Sequence, residues 1–195
     1  MNMTQANFAV LEKILETQDV TVGGGSASAI AGAMAAGLVG MVARLSTKKD
    51  YGMTAVEHLA VADECDILAA ALMRGADEDM AAFAKIKAAY ALPKARDEEI
   101  RARGEAIEAA AIAAATAPLE NAMRNRRVYD LGRAIRNKSN PNAGSDVEIG
   151  IRLARLGVFG CVLNIEANLP LIKNAETLER FKKEILALSK LDGDE

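Results

Sequence analysis

The chain has 195 residues and a mass of 20.6 kDa, long enough for one domain with a substantial buried core. Alanine supplies 39 of those residues, Trp is absent, and Phe and Tyr together number seven, which argues against an all-β sandwich or barrel. A formal charge of −3 and a pI near 5.4 give no bulk electrostatic reason to bind nucleic acid or an anionic membrane, and 51% hydrophobic residues with four prolines argue against disorder.

The N-terminus lacks a basic stretch followed by an apolar one, so no secretory signal and a cytoplasmic location are expected. Phe8, Leu11, Ile14 and Leu15 then form an apolar stripe of helical period. Ala27 to Ala43 is a 17-residue stretch without charge, at the short edge of the roughly 17–25 residues that span a bilayer. Because Ala and Gly dominate it, a buried central helix is expected. Ser26 is placed to cap it, Gly32, Gly37 and Gly40 leave room for a neighbour, and Arg44 and Lys48 suit its negative end.

Thr54 and Glu57 read as a capping box that opens a long helix towards Tyr90, ended by Leu92-Pro93. A second run starts near Arg96, changes at Pro118 and continues towards Asn137. The polar turn Asn140-Pro141-Asn142-Ala143-Gly144-Ser145-Asp146 follows. There Ser145 and Glu148 read as another capping box, launching an apolar helix that ends before Pro170. A last helix, Glu176 to Leu188, carries a polar face and is expected on the outside. The expectation is therefore an all-α fold: one single-domain bundle of about six helices over residues 1–195.

Several segments can carry chemistry. Cys65 and Cys161 are far apart and read as reduced structural thiols, and one histidine, His58, makes a His-based zinc site or a Ser-His-Asp triad hard to build. No metal is expected. Gly23-Gly24-Gly25-Ser26 precedes the most apolar helix and reads equally as a tight turn or as an anion site at a helix start. No Walker pattern follows it, and Ser28 stands where a dinucleotide fingerprint needs glycine. Asp77, Glu78 and Asp79 form an acidic triplet, ordinarily a solvated face. Asp79 shares a face with Phe83, however, and a core Phe83 would draw it inward and raise its proton affinity. Arg124, Arg126, Arg127, Arg133, Arg136 and Lys138 read first as an exposed helix face balancing acidic neighbours, and second as a site for a polyanionic tail.

In combination these residues resemble one family. Val22 to Ala27, Met41-Val42-Ala43-Arg44-Leu45, Lys48-Lys49-Asp50-Tyr51, the Asp79 to Phe83 element and Tyr90-Ala91-Leu92-Pro93-Lys94 are similar to the cyclodeaminase/cyclohydrolase family of folate enzymes. So are Ala117-Pro118-Leu119-Glu120, the Asn140 to Asp146 turn, and Asn164 with Asn168-Leu169, in order over roughly residues 5 to 190. That family includes formiminotetrahydrofolate cyclodeaminases and methenyltetrahydrofolate cyclohydrolases. The resemblance implies an α-helical homodimer acting on a one-carbon unit between N5 and N10 of tetrahydrofolate, with no cofactor beyond the folate, no nucleic acid and no membrane. It places the catalytic carboxylate on Asp79, with Lys94 orienting the reacting group or assisting proton transfer. Asn142 and Asp146 are expected to hydrogen-bond the pterin or the bridge. Gly23, Gly24, Gly25, Ser26, Lys48 and Ser145 complete the expected substrate contacts, the glycine loop and basic residues serving a tail of one or more glutamates. Thr21-Val22 replaces the family's usual Thr-Pro, and the loop at Lys48 is about one residue shorter. No formiminotransferase domain is attached, which favours hydrolysis of 5,10-methenyltetrahydrofolate over deamination of the formimino compound. A helical dimer that binds folate without turnover is the remaining alternative.

Overall fold

In a computed structural model the structure describes residues 8–191, with side chains from Val10 onward, so the ends of the expected 1–195 domain and the side chain of Phe8 lie outside the described residues. Among the described residues there are six α-helices and no strand: α1 (Phe8–Leu15), α2 (Gly24–Leu45), α3 (Ala55–Tyr90), α4 (Asp97–Ile135), α5 (Gly144–Asn168) and α6 (Ala175–Ser189). Two 3-10 turns, Pro141–Ala143 and Leu169–Leu171, lead into and out of α5.

Small residues put α2 at the centre, against α3, α4 and α5. Gly25 lies beside Asp79 and Gly40 beside Cys65, so α3 runs antiparallel to α2. Gly32 lies beside Asn125 and Val39 beside Gly132, so α4 runs parallel to it. Ser28 lies beside Gly160 and Val39 beside Gly150, which makes α5 antiparallel again. One of the tightest approaches is at Asn125, wholly buried between Gly32 and Gly157, where a Cβ on either glycine would collide with its amide. Among the described residues α2 is the one helix long and apolar enough to cross a membrane, and 72% of its most apolar stretch is buried inside the fold, as a core helix requires.

The expected helix signals hold in part. Thr54 and Glu57 form the capping box, with Thr54 Oγ1 accepting from Glu57 N at 3.2 Å and Glu57 Oε2 accepting from Thr54 N at 2.7 Å. Four corrections follow from packing. Leu15 is 71% exposed, because the apolar contact of α1 with the bundle is made by Val10, Leu11 and Ile14. Ser26 does not cap α2; the cap position is Gly23, without a side chain, and Ser26 lies inside the first turn. Pro118 does not interrupt α4, which continues through it. Ser145 is not a cap either, since the 3-10 turn runs directly into α5 and Asn140 supplies the side-chain acceptor, to Asn142 N at 3.1 Å. Helix α6 lies outside the four-helix core but seats Phe181, fully buried, and Leu188 against α4 and α5.

The basic run on α4 is a paired helix face. Arg124 meets Glu120 at 2.9 Å, Arg126 meets Asp130 at 3.0 Å, Arg127 grips Glu64 through two bonds of 2.6 and 2.8 Å, and Arg136 meets Glu148 at 3.1 Å. Both cysteines are buried and unpaired, and burial pushes each thiol up to about 12. Beyond the N-terminus of α2, α3 runs on for about 16 Å past Asp79 and returns as the first half of α4. This overhang closes one end of the molecule and makes the wall of a niche.

Candidate active site

The start of α2 has no side-chain cap of its own, so its first N–H groups need an acceptor from elsewhere. Asp79, on α3, supplies it. Its Oδ2 accepts from Ser26 Oγ at 2.9 Å, and the Ser26 backbone also bears on it, while Ser26 Oγ lies 2.9 Å from the carbonyl of Ala76 as well. Gly25 makes this approach feasible: a Cβ there would overlap the Asp79 carboxylate. Burial pushes the Asp79 carboxyl above the ordinary carboxylate range, and the Ser26 hydroxyl and backbone pull it back only in part. The expected inward turn of Asp79 is therefore present, but Phe83 does not cause it, being 43% exposed. Packing of α3 on the glycine end of α2 does.

Asp79 opens onto a niche of about 150 Å³ lined by Val20, Thr21, Gly23, Phe83, Ala114, Asn164 and Asn168. Its asparagine wall follows from a proline. Pro118 has no N–H, which leaves the carbonyl of Ala114 without its helical donor. Asn168 Nδ2 reaches that carbonyl at 3.3 Å and the Asn164 carbonyl at 2.8 Å, while Asn164 Nδ2 donates to Gly160 O at 2.8 Å. Asn168 thus gives both of its N–H donors to backbone, and Asn164 gives one. Their side-chain oxygens and the Asp79 carboxylate are acceptors, which suit a cationic centre, and the Phe83 ring shares the same wall. Asn164 and Asn168 carry part of the family resemblance but are not among the site residues expected on sequence; that match and their i,i+4 spacing on a mostly apolar helix are the signals that could have found them. Larger grooves of about 570 Å³ between α5 and α6 and about 550 Å³ between α2 and α3 hold no half-buried carboxylate. Among the described residues no three His, Cys, Asp or Glu side chains are grouped to hold a metal ion.

Of the expected site residues, Gly23, Gly24, Gly25, Ser26 and Asp79 are brought together. The others are not. Lys94 is exposed on the loop between α3 and α4, past the far end of the overhang. Lys48 lies in a shallow hollow with Thr47, Lys49, Asp50 and Thr54 at the opposite end of α2. Asn142, Ser145 and Asp146 lie at that end too, where Asn140 N donates to Ser46 Oγ at 2.8 Å. The 22 residues of α2 put about 33 Å between the two groups, more than a pteridine can bridge.

The family model described as formiminotransferase-cyclodeaminase matches residues 9–187. The chain belongs to the formiminotransferase-cyclodeaminase family. It is 34% identical to a methenyltetrahydrofolate cyclohydrolase from Methylorubrum extorquens over 169 residues, 86% of this chain and 81% of that protein. It is 25% identical to a rat formimidoyltransferase-cyclodeaminase over 86% of its own length and 31% of the rat protein. A crystal structure of a formiminotetrahydrofolate cyclodeaminase from Thermotoga maritima has the same fold, with a TM-score of 0.79, 22% identity, and coverage of 97% of this chain and 88% of that one. The expected all-α bundle and the expected family are both borne out.

Proposed function

We propose that the protein hydrolyses 5,10-methenyltetrahydrofolate to 10-formyltetrahydrofolate at the Asp79 niche. The observation that carries this reading is a half-buried carboxylate with a raised pKa, facing a niche that also holds two asparagine side chains and the Phe83 ring. The substrate's N5–C–N10 bridge is a cation, and such a wall favours it over a neutral group. Water attacks the bridge carbon while Asp79 takes one of its protons, and a side-chain oxygen of Asn164 or Asn168 holds the other. The neutral tetrahedral adduct then breaks its C–N5 bond. Asp79 returns its proton to N5, the adduct's hydroxyl proton goes to solvent as the formyl C=O forms, and the net release is one proton. The Methylorubrum relative supports the choice of substrate.

Deamination of 5-formiminotetrahydrofolate has the same tetrahedral logic, with N10 attacking and ammonia leaving, and the rat relative supports it. Initial rates of the purified protein on the two compounds separate the readings. The methenyl compound is expected to turn over at least tenfold faster; a formimino rate equal or higher reverses the assignment, and saturable binding without turnover of either leaves only a folate-binding protein. The reading needs no cofactor beyond the folate, and two buried unpaired thiols fit the expected cytoplasmic location.

A homodimer belongs to the same reading. Met34, Met41 and Leu45 are exposed on one stripe of an otherwise core helix, α2, an arrangement suited to a second copy of the chain. A two-fold axis across α2 pairs it antiparallel, and such a dimer directs the Lys48, Asn142, Ser145 and Asp146 end of one protomer towards the niche end of its partner.

A further inference from the structure

The niche is too small to hold a whole folate, since ligand pockets ordinarily enclose about 300 Å³ or more. It does not end blindly. Thr21 and Phe83 also line a second groove of about 430 Å³ between α1 and α3, whose other walls are Lys13, Met80, Ala81, Ala84 and Lys87. Asp79, Phe83 and Lys87 follow one another at four-residue intervals, so they stand on one face of α3 about 12 Å from first to last. Lys13 crosses to the same groove from α1, its Nζ 3.6 Å from Met80 Sδ. Carboxylate, aromatic ring, thioether and two ammonium groups therefore succeed one another along a single trough.

We propose that this groove between α1 and α3 takes the aminobenzoyl-glutamate arm of the substrate, the benzoyl ring lying on Phe83 and Met80 and the glutamate carboxylates meeting Lys13 and Lys87. The proposal rests on the reading of the niche as the folate reaction site. It moves the tail from the glycine loop and Lys48, where the sequence suggested it, to two lysines that no motif marked. Lengths agree: from N10 across a para-substituted ring and an amide to the glutamate carboxylates is about 10 Å by ordinary bond lengths, close to the spacing of Asp79 from Lys87. Chemistry agrees as well, because an aryl ring stacks on a half-exposed Phe and a flanking thioether, and a dianion needs more than one cation. One acid shares the rim. Asp19 is held below the usual carboxylate range first by hydrogen bonds from Thr21 and then by Lys13 and Lys87, so its charge faces the same ammonium groups and offsets one of them. The opening remains net cationic.

The test uses full-length protein with both lysines neutralised, Lys13→Gln with Lys87→Gln, and Lys85→Gln as a control on an exposed position of α3 outside the groove. With 5,10-methenyltetrahydrofolate the double variant is expected to raise KM about tenfold, two ion pairs being lost, and to leave kcat within twofold. It is also expected to erase any preference for triglutamate over monoglutamate substrate, whereas Lys85→Gln changes neither. A KM within twofold of wild type overturns the proposal. Direct titration with p-aminobenzoylglutamate, which lacks the reacting bridge, decides the matter even if the methenyl compound is not the substrate. Saturable binding to wild type that weakens in the double variant supports the groove, and equal or absent binding in both rejects it.

Discussion

At Asp79 two influences oppose each other: burial favours the neutral acid, and the Ser26 hydroxyl and backbone favour the carboxylate, with burial ahead. A folded-state pKa above the unfolded one means that this group supports the fold at low pH and that its contribution is lost as pH rises through the folded value. Asp79→Asn, which keeps an acceptor for Ser26, is therefore expected to melt at a higher temperature than wild type at pH 7, the gap closing below about pH 4 where both states are protonated. Thermal melts across pH check this, and a lower melting temperature at pH 7 contradicts it. Ser26→Ala removes a contact that lowers the pKa, so the ascending limb of the kcat/KM profile, which reports ionised Asp79, should move to higher pH. A limb that stays in place means Ser26 does not tune the carboxylate. The sequence showed that Asp79 was singular among its acidic neighbours but misplaced the cause, because nothing local states that α3 crosses α2 at Gly25.

Helix α4 is continuous through Pro118, and the missing N–H there becomes a tether for Asn168 through the carbonyl of Ala114. Pro118→Ala restores the helical donor and releases that tether. A fall in kcat of about three- to tenfold is expected with helix content unchanged, and Pro118→Ala combined with Asn168→Ala should be no slower than Asn168→Ala alone. Losses that simply multiply would break the proposed link. Most helices were legible from short-range signals: the Thr54 capping box, the stop at Pro93, the uncharged run of α2. Ser145 misled because Pro141 starts a 3-10 turn that carries the chain into α5 before a Ser cap is needed. At Pro118 the break that a proline suggests is overridden by burial of the same helix between α3 and α5.

For the whole molecule, the order of motifs identified the family, yet it brought together residues that the chain holds at opposite ends of α2. Distance along a chain says nothing about which end of a bundle a turn occupies, so Lys48, Asn142, Ser145 and Asp146 read as neighbours of Asp79 on sequence and are not. Met41→Glu places a charge in the exposed stripe of α2. Sedimentation should then show a dimer for wild type and a monomer for the variant, with turnover falling in step; a wild-type monomer that is fully active contradicts the dimeric reading. The central claim is tested most directly by the loss of methenyl absorbance in wild type and Asp79→Asn, with circular dichroism confirming both folds. Removal of a proton-transferring, cation-stabilising carboxylate predicts a fall in kcat of about 10²-fold or more. Turnover by the folded variant within fewfold of wild type would contradict it.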